Sequence, residues 1–326
     1  MKKRILTYTL TFFALFTSFA VFTSCNTKEQ ENKLSVVATI FPEYDWVKNV
    51  LGDRSENVEL TLLLDSKVDL HNYQPSVADI ATISNCDLFI YVGGESDEWV
   101  ENALNVSKNE SRKTLNLFEV LRDSLKEEHD HDDEHTQEQE EHDEEHEHVY
   151  DEHVWLSLKN AKIICTAIAE KLSEIDVENA ESYQTNVENY LAELTKLDEA
   201  YASTVSAAPH KAFVFADRFP FRYLAEDYGI AYFAAFDGCS AETEASFETI
   251  VSLAKKVDEL GVNALLTIEG CDNLLARTII ENTVAKNQKI LSVDSMQATT
   301  AADAQNGVTY LSVMQKNLKV LEEALR

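Results

Sequence analysis

Short apolar runs alternate with stretches of helical spacing along most of the chain, and this alternation predicts the architecture before any chemistry is considered. Leu34 to Ile40 (LSVVATI) is apolar and rich in β-branched residues, and EYDWVKNVLG after it has helical spacing. Val58 to Leu64 repeats the strand signal, PSVADIATISN the helical one with Pro75 near its start, and DLFIYVGG from Asp87 to Gly94 is a third strand closing in glycines. Further on, Tyr183, Val187, Tyr190, Leu194, Leu197 and Tyr201 recur at spacings of 4, 3, 4, 3 and 4, one apolar stripe on a long helix that Ala207, Ala208 and Pro209 bring to an end. The second half repeats the plan of the first. Ala212–Ala216, Ile230–Phe236, Ala264–Ile268 and Lys289–Val293 are its strand candidates, with a closing helix from about Asp303 to Ala324.

Strands alternating with helices imply a parallel sheet covered on both faces. The expected fold is therefore α/β: two lobes, each with a mainly parallel sheet flanked by helices, joined by one long helix. The segments follow as 1–24 signal peptide, 25–33 tether, 34–176 N-terminal lobe, 177–208 linking helix and 209–326 C-terminal lobe. Ligands of open parallel sheets sit at the carboxyl ends of the strands, so a ligand between two such lobes is held by loops from both.

Composition changes this picture in one place. The net charge is -30, and between Glu119 and Glu152 stand 17 acidic and 2 basic residues, so about half of the excess lies in a single stretch. That stretch holds a loop, 127–148, with His129, His131, His135, His142, His146 and His148 set among carboxylates, and no aliphatic or aromatic residue from Glu127 to Glu147. Such a composition builds no core. Imidazole and carboxylate bind borderline divalent metals such as zinc, so the loop reads as an auxiliary metal collector whose affinity should fall below about pH 6.5, where histidine protonates. A run of acids alone would read as solvated chain. Nucleic acid is excluded as a partner on charge, because no basic patch is visible.

The amino terminus has a basic start at Lys2, Lys3 and Arg4, then an uncharged run ending in Phe22-Thr23-Ser24-Cys25. It reads as a secretory signal with Cys25 as a lipidated first residue, a plain transmembrane anchor being the competing reading. Cys86 and Cys165 lie in apolar contexts and read as small buried residues; Cys239 and Cys271 lie in loops of the second half, where a disulfide between them is an open alternative.

Three loop positions are candidate ligands. His71 follows the second strand and precedes a helix; His153 is followed at once by Val154-Trp155-Leu156, so its backbone should be ordered; Asp294 follows the last strand. His71-Asn72-Tyr73-Gln74-Pro75, with Asp79 beyond it, and Asp151-Glu152-His153-Val154-Trp155-Leu156 resemble two motifs of the solute-binding proteins of bacterial zinc and manganese ABC transporters, with Glu152 where proline is usual. The zinc-type members carry a His-rich loop between the two. The resemblance implies metal ligation by His71, His153 and Asp294, and places Ala216-Asp217 where a His-Asp pair is usual; Ala216 marks a missing histidine, whose place falls to Asp217, to water, or to a histidine lent by the loop. Glu242, Glu244 and Glu269 resemble acidic positions near the cleft and are expected to support the ligands or face the surface rather than bind metal. It also implies high-affinity binding of zinc, with manganese as the second candidate, and delivery to a membrane permease by a lipid-anchored extracytoplasmic monomer. A surface metal buffer or adhesin is the alternative, and a zinc hydrolase a weaker one, since no HExxH motif is present.

Overall fold

Each predicted apolar run from Leu34 onward becomes a strand, and each is short. The computed structural model describes residues 33–65, 70–106, 109–127, 149–236, 238 and 245–326. The first half contains β1 (Ser35–Ala38), α1 (Phe41–Leu51), β2 (Glu59–Leu62), α2 (Val77–Asn85), β3 (Leu88–Tyr91), α3 (Trp99–Asn105), β4 (Lys113–Asn116) and α4 (Leu117–Leu121). Its four strands form a parallel sheet in the order β2-β1-β3-β4. β4 is absent from the sequence pattern because Leu115 is the one apolar residue among its four, Lys-Thr-Leu-Asn.

Two helices follow, α5 (Leu158–Ile175) and α6 (Ala180–Ala207), and α6 buries the stripe expected of it, from Tyr183 through Tyr201 and on to Val205. The second half contains β5 (Ala212–Arg218), α7 (Arg222–Tyr228), β6 (Ala231–Phe236), α8 (Phe247–Leu260), β7 (Ala264–Ile268), α9 (Leu274–Asn282), β8 (Lys289–Val293), α10 (Ala301–Gln305) and α11 (Tyr310–Ala324). The second sheet is again parallel, in the order β6-β5-β7-β8. The single closing helix expected from Asp303 is two. Gly307 takes a φ of +92°, open to glycine at little cost, and Thr309 then starts α11 through a reciprocal capping bond with Ser312.

One hydrophobic cluster runs through both sheets, joining Val36, Phe89 and Leu158 to Phe213, Val293 and Tyr310. Buried hydrogen bonds stitch the halves together along it. The Tyr310 hydroxyl donates to the Trp155 carbonyl at 2.7 Å, the Tyr201 hydroxyl to the Met314 carbonyl at 2.6 Å, and the Tyr310 amide to Asp45 Oδ2 at 2.9 Å. A smaller cluster, with Val214, Ala216, Leu253, Ala254 and Ile279, lies where α8 and α9 cover the second sheet. Cys86 and Cys165 are buried, as expected of them. Among the described residues no helix is long and apolar enough to cross a membrane; Cys25, the six histidines from His129 to His148, Cys239, Glu242 and Glu244 lie outside them.

Candidate metal centre

His71 sits in a single helical turn, Leu70–Asn72, and the residues around it explain its motif. Tyr73 packs edge-on against Trp99 of α3, ring centroids 5.6 Å apart, which anchors the turn. Pro75 leads into α2, whose first turn is closed by Ser76 and Asp79, the Asp79 carboxylate accepting from the Ser76 amide at 2.7 Å. Asp79 is thus a helix cap.

His153 is reached from the other side. Tyr150 pairs with Glu127 in an isolated antiparallel bridge, and Asp151, Glu152, His153 and the turn Val154–Leu156 are all buried. The chain is pinned here to α7 of the second half: the Lys126 amide donates to the Tyr223 hydroxyl at 3.0 Å, that hydroxyl donates to the Asp151 carbonyl at 2.9 Å, and the Arg222 guanidinium donates to the Glu127 carbonyl. His153 therefore has an ordered backbone, as its apolar neighbours predict.

The fold brings the two histidines together across 82 residues of sequence, with Nε2 of His71 3.4 Å from Nε2 of His153. Each ring is held from behind. His153 Nδ1 lies 2.7 Å from Asp151 Oδ1, which also accepts the His153 amide at 2.8 Å. His71 Nδ1 lies 2.8 Å from Ser96 Oγ and 3.2 Å from Glu152 Oε2. Glu152 in turn accepts from the Ser96 amide at 2.8 Å and from the Ser96 hydroxyl at 2.5 Å. Burial pushes the Glu152 carboxyl up, but its bonds to His71 and Ser96 outweigh that and hold it below the usual carboxylate range. The His153 side chain is 1% exposed and that of His71 22%, so the pair is open to solvent on the His71 side.

The second half presents carboxylates at the ends of its strands. Asp294 follows β8; its Oδ1 accepts from the Met296 amide at 2.8 Å, and Asn317 of α11 bonds both its amide and its carbonyl. Met296, at φ +66°, holds a left-handed turn that a non-glycine residue rarely adopts, so the backbone beside Asp294 is strained into place. Ser295 donates twice to Glu269, and its carbonyl accepts from the Trp155 indole at 2.9 Å, which ties this turn to the segment carrying His153. Burial raises the carboxyls of Asp294 and Glu269 above their ordinary values, and Asp294 adds to the shift of Glu269.

Asp217 stands in the irregular end of β5, where the register with β6 shifts between Phe215 and Arg218. Its Oδ1 accepts from the Arg218 amide at 2.9 Å, while Oδ2 is buried with no hydrogen-bond partner among the described residues. Cys271 carries a free thiol beside this carboxylate, and burial together with Asp217 pushes it up to about 11. Ala216 is 1% exposed and packs with Val214 in the apolar cluster beneath α8 and α9.

Of the four residues expected to ligate metal, His71 and His153 meet; Asp294 and Asp217 do not join them in a group of three or more metal-binding side chains among the described residues. Sequence reasoning also leaves Asp151, Glu152 and Ser96 without roles. Asp151 and Glu152 share the motif that carries His153, which marks the segment but not their roles, and nothing in the sequence points to Ser96.

The chain matches the model of the family described as zinc-uptake complex component A, periplasmic (ZnuA), over residues 36–324. It is 32% identical over 301 residues to the zinc-binding lipoprotein AdcA of Streptococcus pneumoniae, an alignment covering 91% of this chain and 57% of that protein. It is 30% identical over 296 residues to the high-affinity zinc uptake system protein ZnuA of Bacillus subtilis, covering 90% and 88%. The chain thus spans little more than half of the streptococcal relative and most of the Bacillus one. Among solved structures, Zn(II)-bound AdcA from S. pneumoniae superposes with a TM-score of 0.70 at 29% identity, covering 90% of this chain and 58% of that one. The metal-dependent lipoprotein YcdH of B. subtilis gives a TM-score of 0.72 at 26% identity, covering 90% and 100%.

Proposed function

The chain belongs to the ZnuA family of zinc-uptake components, and from that premise we propose that it captures zinc outside the membrane through His71 and His153 and hands it to an ABC transporter permease. One observation carries the site assignment. Two zinc–nitrogen bonds of about 2.0–2.1 Å at the tetrahedral angle place their nitrogens about 3.3–3.4 Å apart, and the two Nε2 atoms stand 3.4 Å apart with both Nδ1 atoms held by other groups. Metal-bound histidines are commonly held in this way, through the ring nitrogen that does not bind the metal.

Asp294 and Asp217 are the carboxylates we assign to the remaining coordination, from the second half of the chain. The buried Oδ2 of Asp217, which lacks a well-formed hydrogen bond among the described residues, with the weak thiol donor of Cys271 beside the carboxylate, supports this, since a cation would satisfy it. Nitrogen-and-oxygen coordination of this kind suits zinc, and manganese is the second candidate. Cys25 is proposed as the lipidated anchor, and the histidines of 129–148 as an auxiliary collector that feeds the pair. Competition titration against a chromophoric chelator tests the reading. We expect one tight zinc site in the parent protein, lost in His71→Ala and His153→Ala and retained when 128–147 is deleted. Unchanged tight binding in either alanine variant would refute the assignment.

A further inference from the structure

We propose that Glu152 is a positioning residue of the metal site: through the Ser96 hydroxyl and its own contact with the ring at 3.2 Å, it fixes the proton of His71 on Nδ1 and so turns the lone pair of Nε2 toward the metal. The inference rests on the zinc-binding reading above, but goes beyond it, because Glu152 ligates nothing and sits next in sequence to the other histidine.

Counting protons fixes the tautomer. A carboxylate only accepts, and Glu152 Oε2 lies 2.5 Å from Ser96 Oγ, so the single proton of that hydroxyl is given to Glu152. The hydroxyl then has only lone pairs to offer His71 Nδ1, 2.8 Å away, and the ring must carry its proton there. The other oxygen of Glu152 takes the Ser96 amide at 2.8 Å, so both atoms of one serine hold the carboxylate in a single orientation. The backbone is shaped for this contact. Gly94 adopts φ +89°, and a Cβ at that position would come within 2.4 Å of Glu152 Oε1. Asp151 does for His153 alone what Glu152 does for His71 together with Ser96. Two successive acids thereby set the tautomers of two histidines that are 82 residues apart.

Glu152→Gln gives a sharp test, because it reverses the relay. A glutamine amide facing Ser96 donates to the hydroxyl, the hydroxyl then donates to His71 Nδ1, and the ring proton moves to Nε2, where it competes with metal. Nitrogen-proton correlation spectra of the metal-free protein should show His71 protonated at Nδ1 in the parent and at Nε2 in the variant. Zinc affinity should fall by about 10- to 100-fold, with the thermal midpoint of the metal-free protein unchanged. Ser96→Ala supplies the second variant: the Nδ1 preference of His71 should weaken and affinity should fall, with Glu152 intact. Parent-like tautomer in Glu152→Gln overturns the proposal, whether affinity is kept or lost, as does parent-like affinity in both variants. Failure of the parent to bind zinc, or tight binding by His71→Ala, would instead remove the functional reading and leave the tautomer result standing on its own.

Discussion

Two buried acids behind the histidine pair carry the clearest consequence at the scale of single residues. Glu43 is wholly buried, its Oε2 accepting from Thr39 and Ile40, and burial, reinforced by the charge of Asp97, raises it to about 8. Burial likewise raises Asp97 to about 7. Both titrate higher folded than unfolded, so the stability they contribute is full below about pH 4, the unfolded range. It drains as pH rises, through about 7 for Asp97 and about 8 for Glu43. Glu43→Gln should therefore be no more stable than the parent at pH 4 and more stable above pH 8, as urea denaturation across that window would read. Position 216 gives a second expectation. Ala216→His forces an imidazole into the packed cluster beneath α8 and α9, so it should destabilise by about 2–4 kcal/mol, from overpacking and an unpaired buried polar group, without tightening zinc binding. His71 and His153 could be found in the sequence because short motifs surround them. Glu152 could not, since it serves a histidine that only the fold brings near, through a serine that no motif marks.

At the scale of elements, legibility followed apolar sequence rather than burial. β2, β6 and β8 bury one residue each, as β4 does, but their apolar runs announce them, whereas the Lys-Thr-Leu-Asn of β4 gives no signal. The stripe on α6 is readable because its apolar residues recur at helical spacing along its length. The break between α10 and α11 hangs on the conformation of Gly307, which composition does not reveal. Inside α6, the Tyr201 hydroxyl donates to the Met314 carbonyl in α11 while its ring stacks on Tyr228 at 5.2 Å. Tyr201→Phe keeps the stacking and loses the bond, so it should cost about 1 kcal/mol in chemical denaturation. Trp155 links elements of the two halves: Trp155→Phe removes the donor to Ser295 and loosens the turn that holds Asp294. Zinc affinity should fall in that variant while binding stoichiometry stays the same, as the chelator titration would show.

For the whole molecule, the shared cluster matters more than the division into lobes. Core residues of both sheets belong to one contiguous group, and hydrogen bonds from α11 reach Trp155 and Asp45 in the first half. The two sheets should therefore unfold together. All three tryptophans, Trp46, Trp99 and Trp155, stand in the first half, whereas far-ultraviolet dichroism reports helices throughout. Coincident fluorescence and dichroism transitions in urea are expected for the metal-free protein; separated midpoints would show two independent units. A joined core also limits how far the halves can swing, so metal exchange under the proposed function would rest on small shifts in the loops that carry His71, His153 and Asp294. The repeat of the strand-helix plan made the two sheets legible in the sequence. Their fusion was not legible, because no local pattern records which apolar faces meet.

The bridge between Glu127 and Tyr150 has a consequence for how such a protein can change over time. The chain leaves and re-enters at neighbouring points, and Tyr223 and Arg222 hold both ends against α7. Residues can be gained or lost between those points without moving His153, whose place is set downstream of the re-entry. The bridge is thus a splice point, and exchanging residues 128–148 for a segment of another length should leave His153 in its place.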